Sequence, residues 1–442
     1  MHDNPPAMPK SILIVGGGVI GLCVAYYARR KGHRVTVLER NGPDRDMVSL
    51  GNAGMVVPSH FVPLSTPANV KYGLRNLFNA ESPFYIRPRP DRKLAAWGIH
   101  FLRAANAARV AQAEPLLRDL NLLSRTLYEE IAIERHNDFG LQQKGLLMLC
   151  QTPKALHEEA KFAAHANALG VPAEVLTPDD VAKLEPGITL DIAGAVYFPK
   201  DCHLTPSKFV AGLTQWLEAH DATLCYGMTI ARWEAADGAV SGVFAAPSAN
   251  SGALFAGAHA KPPEAVRFEA DEYVIAGGAW SDQVADGLGV SLPLQGGKGY
   301  SLTLPNPRQH PTICSILVEA RAAVTPMGAS LRVGGTMEIA GLDESINLRR
   351  VQGIIKSACR YYSAFAPQDF ENVPVWRGLR PVSPDGLPYV GRFSRYTNVS
   401  VAAGHAMLGL SLGPATGLLM SEVLSGEAPS LEMNLLDPQR FV

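Results

Sequence analysis

Residues 11–41, SILIVGGGVIGLCVAYYARRKGHRVTVLERN, constrain the fold more than any other stretch of the chain. Ser11–Val15 is a short apolar run that reads as a buried parallel strand. Gly16-x-Gly18-x-x-Gly21 follows at once. A helical stretch from Val19 to about Lys31 ends at Gly32, and Arg34–Leu38 reads as a second strand closed by Glu39. In such a strand–turn–helix–strand unit Gly16 permits the tight turn, Gly18 lets the backbone approach a pyrophosphate, and Gly21 lets the helix pack closely on the strand. The helix N-terminus, opening on Val19 and Ile20, offers free N–H groups and a positive dipole end to phosphates. Glu39, 18 residues after Gly21, is placed to accept hydrogen bonds from a ribose diol. It disfavours a 2′-phosphate, even with Arg40 beside it. The competing reading is a glycine-rich turn in some other parallel fold.

At 442 residues the chain is expected to form two or three domains or interleaved lobes. The net charge of −1 and the lack of a basic tract give no reason to expect a nucleic-acid partner. Six scattered cysteines without a CxxC pair suit a reducing compartment and argue against a disulfide framework or a zinc site. No metal is expected. The N-terminus lacks a signal-peptide layout, and the uncharged run Ile12–Tyr27 is 16 residues with four glycines, too short to span a bilayer. The expectation is a soluble cytoplasmic protein. A basic, aromatic stretch at 61–110 (Lys71, Arg75, Arg87, Arg89, Arg92, Lys93, Arg103 and Arg109) leaves open a peripheral contact with the inner face of the membrane.

Along the chain, residues 42–60 form a loop whose Ser49, Gly51, Asn52, Ala53 and Gly54 are small enough to pass close to a flat ligand. An ordinary surface loop would have the same composition. From about Leu94 to Glu134 the pattern is helical, with Pro115 expected to divide two helices. Thr177 caps a helix that opens on Pro178. Residues 228–270 read as a β-meander. Asp271–Ala276 is a buried strand that ends in Gly277-Gly278, a place where backbone meets ligand. Residues 295–305 and 331–341 read as antiparallel strands, and 344–365 as a helix. Near the end, Val399–Ala402, the loop Gly404–Gly413 and the helix Pro414–Leu424 mirror the opening unit.

With these pieces in order, the sequence resembles the FAD-dependent amino-acid oxidoreductases of the D-amino-acid oxidase and glycine oxidase group, and within it the bacterial D-amino-acid dehydrogenases. The resemblance rests on GGGVIG with Glu39, SLGNAG at 49–54, KGYSLTLP at 298–305, RVGGTMEIAG at 332–341, GLRPVSPDGLPYVG at 378–391 and GHAMLGLSLGPATG at 404–417. It implies an α/β fold. A doubly wound FAD-binding domain (8–60, 200–289 and 375–442) would interleave with an α+β substrate domain on a mixed antiparallel sheet (61–199 and 290–374). It also implies noncovalent FAD. Gly16, Gly18, Gly21, Glu39 and Arg40 would hold the ADP half, with Gly277 close by. Ser49, Asn52, Ala53, Gly54 and Met55 would lie near the ring system. Gly404, His405, Ala406, Met407, Leu408 and Gly409 would face its pyrimidine end.

Arg380 matches the family arginine that grips a substrate carboxylate, and a planar guanidinium gives a bidentate pair with that group. Tyr300 is a candidate substrate residue, alongside Met55, and equally a core aromatic; Arg332 reads as an outward charge on its strand. Two departures stand out. Met407 replaces the arginine that glycine oxidases carry two residues after the histidine, and Gly51 stands where relatives more often have alanine. The resemblance implies oxidation of D-amino acids to imino and then 2-oxo acids, with electrons passed to a quinone or another respiratory acceptor. The alternatives are D-proline or hydroxy-D-proline oxidation and, in a different class, a dinucleotide-binding sensor without turnover.

Overall fold

The computed structural model describes residues 8–44, 46–75, 82–248 and 265–441. The chain forms two compact units built from interleaved segments: Met1–Met47, Val210–Leu294 and Pro381–Val442 in one, Val48–Phe209 and Gln295–Arg380 in the other.

The first unit is organised on a six-stranded sheet. Its strands run in the order Tyr389–Arg392, Val399–Ala403, Glu272–Ile275, Ser11–Val15, Arg34–Leu38, Thr223–Cys225. All neighbours are parallel except the first pair. Ile14 is in register with Val274 on one side and Val37 on the other. The central strands are apolar runs because both faces are covered. The opening helix, Val19–Arg30, and the last long helix, Gly413–Ser425, lie against one another. A Cβ on Gly417 would fall 2.5 Å from the Cys23 carbonyl oxygen, so only glycine permits so close an approach. The expected meander is an antiparallel sheet of Met228–Ala236, Ala239–Pro247 and Val266–Phe268; residues 249–264 of that stretch lie outside the described residues. Its first hairpin turns on Asp237-Gly238, both left-handed, the preferred chemistry for a two-residue turn.

The second unit carries a nine-stranded mixed sheet. Its main path runs Val375–Val382, Gln295–Pro305, Ser330–Ile339, Ala322–Met327, Cys314–Leu317, Leu146–Cys150, Gly194–Phe198, Glu174–Leu176, and Phe84–Ile86 pairs with Ser330–Ile339. Period-two alternation sorts the Gln295–Pro305 strand. Tyr300, Leu302 and Leu304 enter a core closed by Val351, Ile354, Ala358 and Tyr361 of the helix Leu348–Tyr361. Gly299, Ser301 and Thr303 occupy the opposite face. That helix is shorter than the expected 344–365 because the Asn347 side chain caps its start.

The helical stretch corrects the proline expectation. Helices run Arg92–Ala104 and Ala107–Glu134, and Pro115 lies inside the second. The break falls at Ala105-Asn106, where Asn106 Oδ1 accepts from the Arg109 N–H. Thr177 and Asp180 form a reciprocal capping box, with Pro178 in the first turn. Among the described residues no helix is long and apolar enough to cross a membrane. Within the basic stretch Arg87 pairs with Asp343 and Arg89 with Asp91; residues 76–81 lie outside the described residues.

Candidate active site

In the first unit, the Gly16–Gly21 turn fits the strand ends so closely that side chains are excluded. Gly16 has φ +116°, and a Cβ on it would sit 2.4 Å from the Ala276 oxygen; one on Gly21 would meet the Gly16 oxygen at 1.9 Å. Gly18 is the helix N-cap, with extended backbone and no side-chain cap, and the helix opens on Val19 and Ile20. Glu39 is buried at the end of the second strand. Its Oε2 accepts from the Gly17 N–H at 2.8 Å and its Oε1 from the Asn41 N–H at 2.9 Å. Arg40 lies over the Trp280 ring at 3.5 Å, which ties the Glu39 turn to the Gly277–Trp280 turn. This cradle of bare backbone, a helix N-terminus and one carboxylate fits the pyrophosphate and ribose of a dinucleotide.

The C-terminal loop closes the same unit. Gly404 has φ +83° and Ala406 φ +47°. His405 is buried, and its Nε2 shares a 2.9 Å hydrogen bond with Thr416 Oγ1. Burial lowers the imidazole to about 3, so it is neutral at pH 7. Its Nδ1 has no partner among the described residues. Ala406–Leu408 is a single 3₁₀ turn leading through Gly409 to the helix at Gly413; Met407 is 46% exposed.

In the second unit the 49–54 loop is tied to the polar face of the sheet. Arg332 donates to the carbonyls of Leu50 (2.6 Å) and Asn52 (2.7 Å) and to Thr303 Oγ1 (3.0 Å). Burial lowers its guanidinium to about 10. Far from an outward charge, Arg332 is the loop's anchor. Sequence reading missed this because its partners lie some 280 residues away. Ser301 Oγ donates to the Gly51 carbonyl. Asn52 Oδ1 accepts from the Gly54 N–H, which has φ +76°. Residues 48–60, grouped by sequence with the nucleotide segments, are packed in this unit. Ser49 and Ala53 stand in the loop, and Met55 is buried in a short strand paired with Cys202-His203.

Arg380 is half-buried on the strand Val375–Val382. Its Nη1 donates to the Thr336 carbonyl at 2.6 Å. The guanidinium lies against Gly299, where a Cβ would meet Nη1 at 2.0 Å. Burial lowers it to about 10, which leaves it cationic at pH 7. Among the described residues no acidic side chain pairs with it. Tyr300 takes the core alternative of its two readings: it is buried on the other face, its hydroxyl donates to Glu338 and accepts from the Asn347 N–H.

A profile described as "FAD dependent oxidoreductase" (DAO) matches residues 11–423. The chain belongs to this family. It is an FAD-dependent oxidoreductase, and its amino-acid-oxidising relatives include the D-amino acid dehydrogenases of Methylobacterium radiotolerans and Allorhizobium ampelinum. The first is 32% identical over 97% of this chain and 99% of its own length, the second 29% over 95% and 96%. The glycine oxidase of Geobacillus kaustophilus shares the fold, with a TM-score of 0.73 at 22% identity over 98% of this chain and 99% of its own. The glycine cradle with Glu39 fits the ADP half of FAD.

Proposed function

We propose that the enzyme oxidises D-amino acids to imino acids, which water hydrolyses to 2-oxo acids and ammonia. The observation that carries the reading is Arg380, a half-buried cation with one backbone acceptor and no acidic partner among the described residues. A desolvated guanidinium of that kind seeks a carboxylate, and every amino acid supplies one. The D-amino acid dehydrogenase relatives supply the substrate class.

FAD, when bound, would supply the acceptor for a hydride leaving the substrate Cα. Gly16, Gly18, Gly21 and Glu39 would hold its ADP half, with Arg40 and Gly277 beside them. The 49–54 loop and the 404–409 loop would hold the remainder. The protein's own task is positional: Arg380 fixes the carboxylate so that the Cα–H takes one orientation, and the substrate amine, once it has lost its ammonium proton to solvent, drives hydride departure with its lone pair. His405 is neutral, with Nε2 committed to Thr416, so its part is to shape the loop. Noncovalent attachment is supported by the six cysteines, whose thiols are all raised by burial and so carry little thiolate at pH 7.

A quinone or another respiratory carrier would take the electrons at the inner face of the cell membrane. Flotation with anionic vesicles tests the location; protein that stays at the bottom of the gradient removes it. The reaction itself is tested by Arg380→Ala, which should lower kcat/KM for D-amino acids by roughly 3–5 kcal/mol. Unchanged kinetics would remove Arg380 from the substrate site.

A further inference from the structure

We propose that Thr336 is a positioning residue for the Arg380 guanidinium, acting through its backbone carbonyl; this rests on the reading of Arg380 as the carboxylate clamp. The strands Gln295–Pro305 and Ser330–Ile339 pair regularly from Tyr300 opposite Gly335 to Pro305 opposite Ser330. The register then slips, because Lys298 pairs with Glu338. Thr336 and Met337 therefore face the single residue Gly299, a β-bulge that leaves one residue free of the ladder.

Thr336 is the free residue. Its φ is +70°, a region that β-branched residues seldom enter, and it is buried. In a regular ladder the carbonyl at this position would point along the sheet to the neighbouring strand. The left-handed turn directs it to Arg380 Nη1 instead, at 2.6 Å. Gly299, across the bulge, completes the seat: without a Cβ it lets the guanidinium lie on its backbone, where an alanine would meet Nη1 at 2.0 Å and Nη2 at 2.3 Å. One N–H is thus held and Gly299 lies close to both terminal nitrogens, and the donors not given to Thr336 are left for a ligand. Strained backbone of this kind persists where the surrounding structure over-determines it, often at a ligand clamp.

The test uses the FAD-loaded enzyme and two readouts: the KM and kcat for a D-amino acid, and the affinity for benzoate, a bare carboxylate, read from the shift of the visible flavin spectrum. Thr336→Gly keeps the left-handed conformation without a Cβ and should hold KM and benzoate affinity within about twofold. Thr336→Pro fixes φ near −65° and withdraws the carbonyl. It should weaken benzoate binding and raise KM by about tenfold, the loss of one charge-assisted hydrogen bond, with kcat less affected. Gly299→Ala displaces the guanidinium from below, should give the same signature, and covers the case in which the proline variant does not fold.

Wild-type benzoate affinity in a folded, FAD-loaded Gly299→Ala or Thr336→Pro enzyme would overturn the proposal. So would a tenfold loss in Thr336→Gly, which would assign the effect to the threonine side chain. If Arg380→Ala itself leaves KM and benzoate affinity unchanged, the clamp reading fails. If Arg380→Ala weakens both and the two seat variants do not, only the positioning role fails.

Discussion

Removing Arg332 should loosen the 49–54 loop, and the structure sets the size of the effect. Its guanidinium donates to Leu50 O, Asn52 O and Thr303 Oγ1. Hydrogen bonds from a charged donor are worth roughly 1.5–3 kcal/mol each. Against them stands the burial that lowers the group to about 10, a cost of roughly 3 kcal/mol. The difference leaves Arg332→Ala destabilised by roughly 1.5–6 kcal/mol, with two loop carbonyls lacking their donor. Arg332→Lys should recover less than half of this, because a point ammonium cannot span three acceptors as the planar fork does. Urea unfolding of the FAD-loaded variants gives the stability, and released FAD fluorescence gives the loop's hold on the cofactor. An Arg332→Ala protein within about 0.5 kcal/mol of wild type, the range of an ordinary surface substitution, would refute the anchoring argument.

Gly51→Ala would bring a Cβ to 2.1 Å from the Trp376 ring and should cost about 1–3 kcal/mol, with Trp376→Leu restoring most of it; additive losses in the double variant would contradict the packing described. Glu39→Ala removes the acceptor of the Gly17 and Asn41 N–H groups and should weaken FAD binding at least about tenfold by fluorescence titration. An unchanged Kd would take Glu39 out of the cofactor site. Asp201 is raised by burial from 3.8 to about 7. The folded state therefore holds a proton that the unfolded state releases, and this stabilisation, full below about pH 4, is lost as pH rises through 7. Asp201→Asn should gain stability over wild type between pH 5 and 8 as measured by urea midpoints. The histidines His33, His60, His203 and His405, all lowered chiefly by desolvation, contribute the opposite slope equally to both proteins. A difference that does not change with pH would contradict the raised carboxyl.

The nucleotide unit was legible because its signals are local: an apolar strand, three glycines at fixed spacing and an acid at the end of the next strand. The substrate half was less so. Arg332 looks like an outward charge from its strand neighbours, and only the fold brings it to Leu50 and Asn52. Pro115 signals a helix break by composition, yet packing along Ala107–Glu134 overrides it, with Leu117, Leu120, Leu127 and Ile131 all buried. For Tyr300 the alternation with Gly299 and Ser301 decides the face, but only once the helix Leu348–Tyr361 shows which face is the core. The left-handed Thr336 carries no sequence mark at all, since a threonine in a strand is ordinary.

The most direct measurement is the visible spectrum of the purified enzyme without oxygen, with single D- and L-amino acids added to wild type and to Arg380→Ala. D-amino acids should bleach the flavin of the wild type, their L-forms should not, and bleaching of the variant should be slowed severely at the same substrate concentration. Bleaching by L-forms at the same rate, or an Arg380→Ala enzyme reduced as fast as wild type, would contradict this expectation.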